Sequence, residues 1–96
     1  MKSLAAISSQ SAAIQRLTLH HCAANPRLFG SVLRGTATPD SDIDILVDAQ
    51  PGATLFDLGG LQMALTDLLG AHVDLLTLGD LPLRFRDRVL AEARPI

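Results

Sequence analysis

Apolar and polar residues alternate most regularly in the stretch D-I-D-I-L-V-D, residues 42–48. The two-residue period of a strand puts Ile43, Ile45 and Val47 on one face, and Asp42, Asp44, Leu46 and Asp48 on the other. A short apolar run over 27–32, flanked by turn residues, predicts an earlier strand. A third is predicted over 71–78, where Asp74 interrupts an otherwise apolar run. Between the second and third strands, Leu55, Leu58, Leu61, Leu65, Leu68 and Leu69 recur at helical spacing. Thr54 and Asp57 have the spacing of a capping box at the start of that helix, and Gly70 suits its C-cap. Gly59-Gly60 inside it weakens the helix by roughly 1 kcal/mol per glycine relative to alanine.

The flanking segments are helical by the same reasoning. Ala13, Ile14, Leu17 and His21 predict a helix over 9–22, with Ser8, Ser9 or Ser11 available as N-cap. Asn25-Pro26 is expected to end it, because proline disfavours helical geometry in the residue before it. Residues 1–8 read as a loose lead-in. A single helical turn is expected over 33–35 and turn chemistry over 36–41. A last helix is expected from Leu81-Pro82 to Ala93, capped by Asp80. The order α-β-β-α-β-α predicts an α+β fold: a small mixed sheet of three strands, or four, packed with helices. The second and third strands should be parallel, joined by a right-handed crossover.

Composition sets limits on this picture. With 96 residues, 48% of them hydrophobic and 19% charged, one globular domain over 1–96 is expected. A domain this short buries only ~60–65% of its extended-chain surface, so it is expected to lean on a partner, either another protein or a second copy of itself as a homodimer. The net charge of −2 and pI of about 5.8 lack the basic footprint of a nucleic-acid binder, so no direct nucleic-acid contact is expected. The one cysteine, Cys22, excludes an internal disulfide and fits a reducing, cytoplasmic home; it reads as a small buried apolar residue. No apolar run reaches the ~18 residues of a membrane span, and no secretory signal is evident.

The chemistry concentrates around F-G-S-V-L-R-G-T-A-T-P-D-S-D-I-D-I-L-V-D, residues 29–48. Asp42 and Asp44 project from one strand face, and Asp74 lies on the strand expected beside it. Three neighbouring carboxylates repel one another and push a pKa upward. A divalent cation removes that conflict: Mg²⁺ takes oxygen ligands, typically a few carboxylates plus substrate phosphates. One or two such ions can serve the in-line displacement of a nucleotidyl transfer. Gly30 lets a ligand approach the backbone, and Ser31 can either hold a terminal phosphate or cap a helical turn. Arg34 can add a charge-assisted phosphate contact or form a surface ion pair.

These residues together resemble the DNA-polymerase-β-type nucleotidyltransferase superfamily, in particular its minimal nucleotidyltransferase (MNT) members. The matching positions are Gly30-Ser31, Arg34-Gly35, Ser41-Asp42-Ile43-Asp44 and Val73-Asp74-Leu75, and the helix over 56–70 is also similar. The resemblance covers nearly the whole chain. It implies Asp42, Asp44 and Asp74 as catalytic metal ligands for Mg²⁺. It also implies Gly30, Ser31, Arg34 and Ser41 as nucleotide contacts, and ATP as the donor of AMP. MNT proteins of this kind are antitoxins of type VII-like modules, whose implied acceptor is a tyrosine of a cognate HEPN-domain toxin. This chain contains no tyrosine, so an acceptor of that type must come from another protein.

Other readings stand beside this one. The protein could neutralise a partner by binding alone, with the metal site little used. Transfer to a small molecule would need an acceptor domain for which 96 residues leave no room. RNA tailing is disfavoured by the acidic pI and by an aromatic content of 3%, all Phe. Asp40 and Asp48 read as turn and strand-end residues, and His20 and His21 as helix surface. His72 shares the strand face of Asp74, where it either packs or serves the site. Arg84, Arg86 and Arg88 of the last helix fit a solvated face or a contact to partner or nucleotide.

Overall fold

The computed structural model describes residues 3–96. Five helices, a 3₁₀ turn and four strands are arranged as α1 (Leu4–Ser8), α2 (Ser11–His20), β1 (Ala23–Phe29), α3 (Gly30–Arg34), β2 (Ile43–Ala49), α4 (Leu55–Leu69), β3 (Val73–Leu76), the 3₁₀ turn (Leu78–Asp80), α5 (Leu83–Glu92) and β4 (Arg94–Pro95). The sheet order is β3-β2-β1-β4. β2 runs parallel to β3, as a crossover through α4 requires, and antiparallel to β1. The fold class is therefore α+β with a mixed sheet, and the fourth strand is the two-residue β4, paired to β1.

The alternation of β2 separates two cores. Ile43, Ile45 and Val47 are fully buried with Ile7, Ile14, Leu28, Leu61, Leu65 and Val73, in the layer formed by α1, α2 and α4. On the opposite face Leu46 and Phe29 pack against Leu81 and Val89, so α5 covers the same side of the sheet that carries Asp44. α4 starts with the predicted capping box, the Thr54 hydroxyl accepting from the Asp57 N–H and the Asp57 carboxylate accepting from the Thr54 N–H at 2.8 Å. Gly70 ends it in the left-handed conformation at φ 66°.

Several boundaries differ from the sequence reading, each for a local reason. Of the predicted lead-in, residues 1 and 2 lie outside the described residues. Residues 4–8 form α1, with Ser3 as its N-cap and Ile7 buried. The helix expected over 9–22 is α2 alone. Its N-cap position is Gln10, with no side-chain cap. Asn25-Pro26 does not stop that helix but lies within β1. The register slips between Ala24 and Arg27, and Asn25 takes φ 54°. A bulge tolerates both a left-handed Asn and a proline that cannot donate to the ladder. β1 therefore begins earlier than the predicted 27–32 and ends at Phe29, and α3 starts directly at Gly30. β3 is shorter than 71–78, and Asp80 caps the 3₁₀ turn through Thr77 rather than α5. Cys22 is exposed in the α2–β1 turn at φ 59°, not buried. Leu55, expected on the buried stripe of α4, is the first residue of that helix and is 86% exposed.

Candidate active site

Asp44 is the centre of the polar face. In the sheet register Phe29 lies beside it on β1 and Asp74 beside it on β3. Neighbouring residues of parallel strands present their side chains to the same face, so Asp44 and Asp74 are cross-strand neighbours. Asp42, one residue ahead of β2, is exposed at the entrance, while Asp44 and Asp74 are half-buried. The Asp44 carboxyl is pushed up from 3.8 to about 6. Burial is the main cause, followed by the negative charges of Asp74 and then Asp42. Arg34 pulls in the opposite direction and Glu92 adds a further push.

Gly30 explains why this carboxylate can sit where it does. It opens α3 at φ 78°, a backbone conformation that favours glycine. A Cβ built on it would overlap the Asp44 carboxylate, with the Asp44 Cγ only 3.0 Å away. The β1–α3 turn and the carboxylate thus share one space that only glycine leaves open. Ser31 follows, half-buried; its carbonyl accepts from the Thr36 N–H at 2.9 Å, which closes the loop leading back to β2. The Ser41 hydroxyl accepts from the Thr38 N–H at 2.9 Å, and its N–H donates to the Thr38 carbonyl at 3.0 Å. That turn delivers Asp42 to the start of β2. Arg34 bridges to Glu92, Nη1 to Oε1 at 2.6 Å, so it is an ion-pair residue that also lies within electrostatic reach of Asp44.

Two further residues join the polar face: His72, for which the sequence left packing or a site role open, and Glu92, which it did not single out. His72 Nδ1 lies 3.1 Å from Asp42 Oδ1, and its carbonyl accepts the Ile43 N–H. Its two-residue spacing from Asp74 was the available signal. Glu92 is 58 residues from Arg34 and carried no local signal. Asp48 lies further along the strand and serves the bulge. It accepts from Asn25 Nδ2 at 2.9 Å and pairs with Arg27 at 3.2 Å. Of the α5 arginines, Arg84 stacks over Phe85 at 4.7 Å, Arg86 Nη2 donates to the Leu81 carbonyl at 3.1 Å, and Arg88 is exposed.

The nucleotidyltransferase domain family matches residues 17–96. This chain belongs to that family. A Methanocaldococcus jannaschii relative, provisionally named a protein adenylyltransferase, is 39% identical over 77 residues, covering 80% of this chain and 83% of its own. The protein adenylyltransferase MntA of Thermococcus cleftensis is 42% identical over 65 residues, 68% of this chain and 66% of that one. A solved structure described as a minimal nucleotidyltransferase superposes with a TM-score of 0.88 at 41% identity, covering 98% of this chain and 96% of its own. A toxin–antitoxin complex with AMP-PNP has a TM-score of 0.72 at 26% identity, covering 88% of this chain and 70% of its own.

The donor set of this nucleotidyltransferase suits a hard divalent cation. It offers oxygen ligands only, and the negative charges of Asp74 and Asp42, which add to burial in pushing Asp44 up, are what a cation relieves. Among the described residues, no three His, Cys, Asp or Glu side chains already stand close enough together to hold an ion. Among those residues, no helix is long and apolar enough to cross a membrane.

Proposed function

We propose that this nucleotidyltransferase transfers AMP from ATP to a hydroxyl of a partner protein and acts as the antitoxin of a toxin–antitoxin pair, the partner being a HEPN-domain toxin and the acceptor a tyrosine. The observation that carries this reading is Asp44, set beside Asp74 with Gly30 backed against its carboxylate. The names of the relatives support the protein acceptor, and the AMP-PNP complex supports the nucleotide.

Asp42, Asp44 and Asp74 would hold Mg²⁺, which when bound neutralises phosphate charge and stabilises the leaving pyrophosphate. Gly30 and Ser31 receive the terminal phosphates, with Arg34 beside them and Ser41 holding the turn that orients Asp42. The acceptor oxygen attacks the α-phosphorus, the bond from that phosphorus to the β-phosphate bridging oxygen breaks, and pyrophosphate leaves. Asp74 is on β3, the outer strand of the sheet, and in this reading it takes the hydroxyl proton of the acceptor.

The test combines the chain, ATP and Mg²⁺ with a HEPN-domain protein from a neighbouring reading frame, as the candidate toxin, and weighs that protein. One added AMP per toxin is expected, with none for Asp42→Asn/Asp44→Asn. A second reading is neutralisation of the partner by binding alone. It would show as an unmodified toxin that is nevertheless silenced.

A further inference from the structure

Glu92 stands close to other negative charge. It is the last residue of α5, at the negative end of that helix's dipole. It also lies close enough to Asp44 to hinder that group's ionisation. Its position is nonetheless fixed. Val89, one turn earlier, packs into the core over Leu46, and Ala93, the next residue, packs against the same cluster. Arg94 then pairs with Leu28 in β4. The Glu92 side chain is only 20% exposed, while the Arg34 side chain it grips is 55% exposed.

The grip uses one nitrogen. Glu92 Oε1 accepts from Arg34 Nη1 at 2.6 Å. A guanidinium has five N–H donors in a rigid fork, so this contact anchors one nitrogen and leaves donors for a second anion. Arg34 ends α3, the helix that begins at Gly30, and its charge already reaches Asp44. An otherwise solvated arginine is thereby held at the end of the site where phosphates would arrive.

We infer that Glu92 is a positioning residue for the nucleotide: it holds the Arg34 guanidinium ready for the β- and γ-phosphates of the donor. The inference rests on the nucleotidyltransferase reading above and deepens it. Holding the arginine in advance removes the ordering loss that a free side chain would suffer on binding.

The test is a double-mutant cycle on the full chain, read by calorimetric binding of AMP-PNP and, separately, of AMP, each with Mg²⁺. Arg34→Ala should weaken AMP-PNP about tenfold, the scale of one charge-assisted hydrogen bond, and leave AMP unchanged. Glu92→Ala should weaken AMP-PNP several-fold, again without affecting AMP. It should add nothing once Arg34 is alanine, and Glu92→Asp should recover part of the loss. Thermal melting of each variant identifies a merely structural effect, which would lower AMP-PNP and AMP binding together. Equal losses for both ligands, additive losses, or tighter AMP-PNP binding by Glu92→Ala would each overturn the inference. Failure of the unaltered chain to bind AMP-PNP would overturn the nucleotidyltransferase reading as well. Normal binding with an indifferent Glu92→Ala would remove this inference alone.

Discussion

The two faces of β2 obey opposite rules within one seven-residue strand. On one, Ile43, Ile45 and Val47 are fully buried among aliphatic neighbours. On the other, Asp44 is half-buried beside Asp74, with its carboxyl pushed up to about 6. The first face lowers the free energy of the fold by removing apolar surface from water. The second stores unfavourable charge, which a cation would relieve. The apolar face secures the strand and so allows the polar face to be strained.

Substitutions on the two faces should therefore have opposite signatures. The largest effect is expected from Asp44→Asn. AMP transfer should fall by about two to three orders of magnitude or more, the scale of losing one group that stabilises transition-state charge, while the metal-free protein becomes more stable at neutral pH. The sign follows from linkage. The folded-state value, about 6, lies above the unfolded 3.8, so the folded chain binds more protons between them. Stability from this group is complete below about pH 4 and lost as pH rises through about 6. Melting in EDTA from pH 4 to pH 8 should show that decline in the unaltered protein and a shallower one in Asp44→Asn. Equal slopes would mean that the polar face is not strained.

Ile45→Ala tests the opposite face. It removes a fully buried side chain beneath α4 and should cost about 2–5 kcal/mol. Denaturant unfolding measures it. Nucleotide affinity of the fraction that remains folded should stay unchanged. Gly30→Ala comes next. A left-handed non-glycine residue costs roughly 1–3 kcal/mol, and the added Cβ must also displace Asp44. A loss of AMP-PNP binding larger than the loss of stability would place the damage on the polar face.

How far these features can be read from sequence depends on the distance over which each is encoded. The β2 alternation and the Thr54–Asp57 capping box lie within a few residues, and the structure reproduces both. The Asp44–Asp74 pairing spans a crossover, but the parallel topology that a helical connection imposes made it predictable. β1 was misplaced because Asn25-Pro26 carries the same local signal whether it stops a helix or forms a bulge; the difference lies in the pairing of β1 with the distant β2, whose Asp48 contacts Asn25 and Arg27 across the bulge. α1 is a single turn or so, too short to show a period. Glu92 could not be seen because nothing near it in sequence points to Arg34.

The smallest effect separates the two acidic ends of the polar face. Asp48 shares its strand face with Asp44, yet its carboxyl is held below the ordinary 3.8. The hydrogen bond from Asn25 is the main cause and outweighs partial burial, with Arg27 adding to it. The sign is the reverse of that for Asp44. A depressed carboxylate contributes stability that is present above the unfolded value of 3.8 and lost as pH falls below it through the folded value. The Asp48 side chain is 43% exposed, which screens its charge, so Asp48→Asn should cost only about 0.2–1 kcal/mol near pH 7. That difference should shrink below pH 4 and also with added salt, because exposed charges are screened. AMP transfer should be unaffected. If Asp48→Asn instead reduced transfer as Asp44→Asn does, the polar face would act as one electrostatic unit, and the division between a bulge-holding end and a chemical end would be wrong.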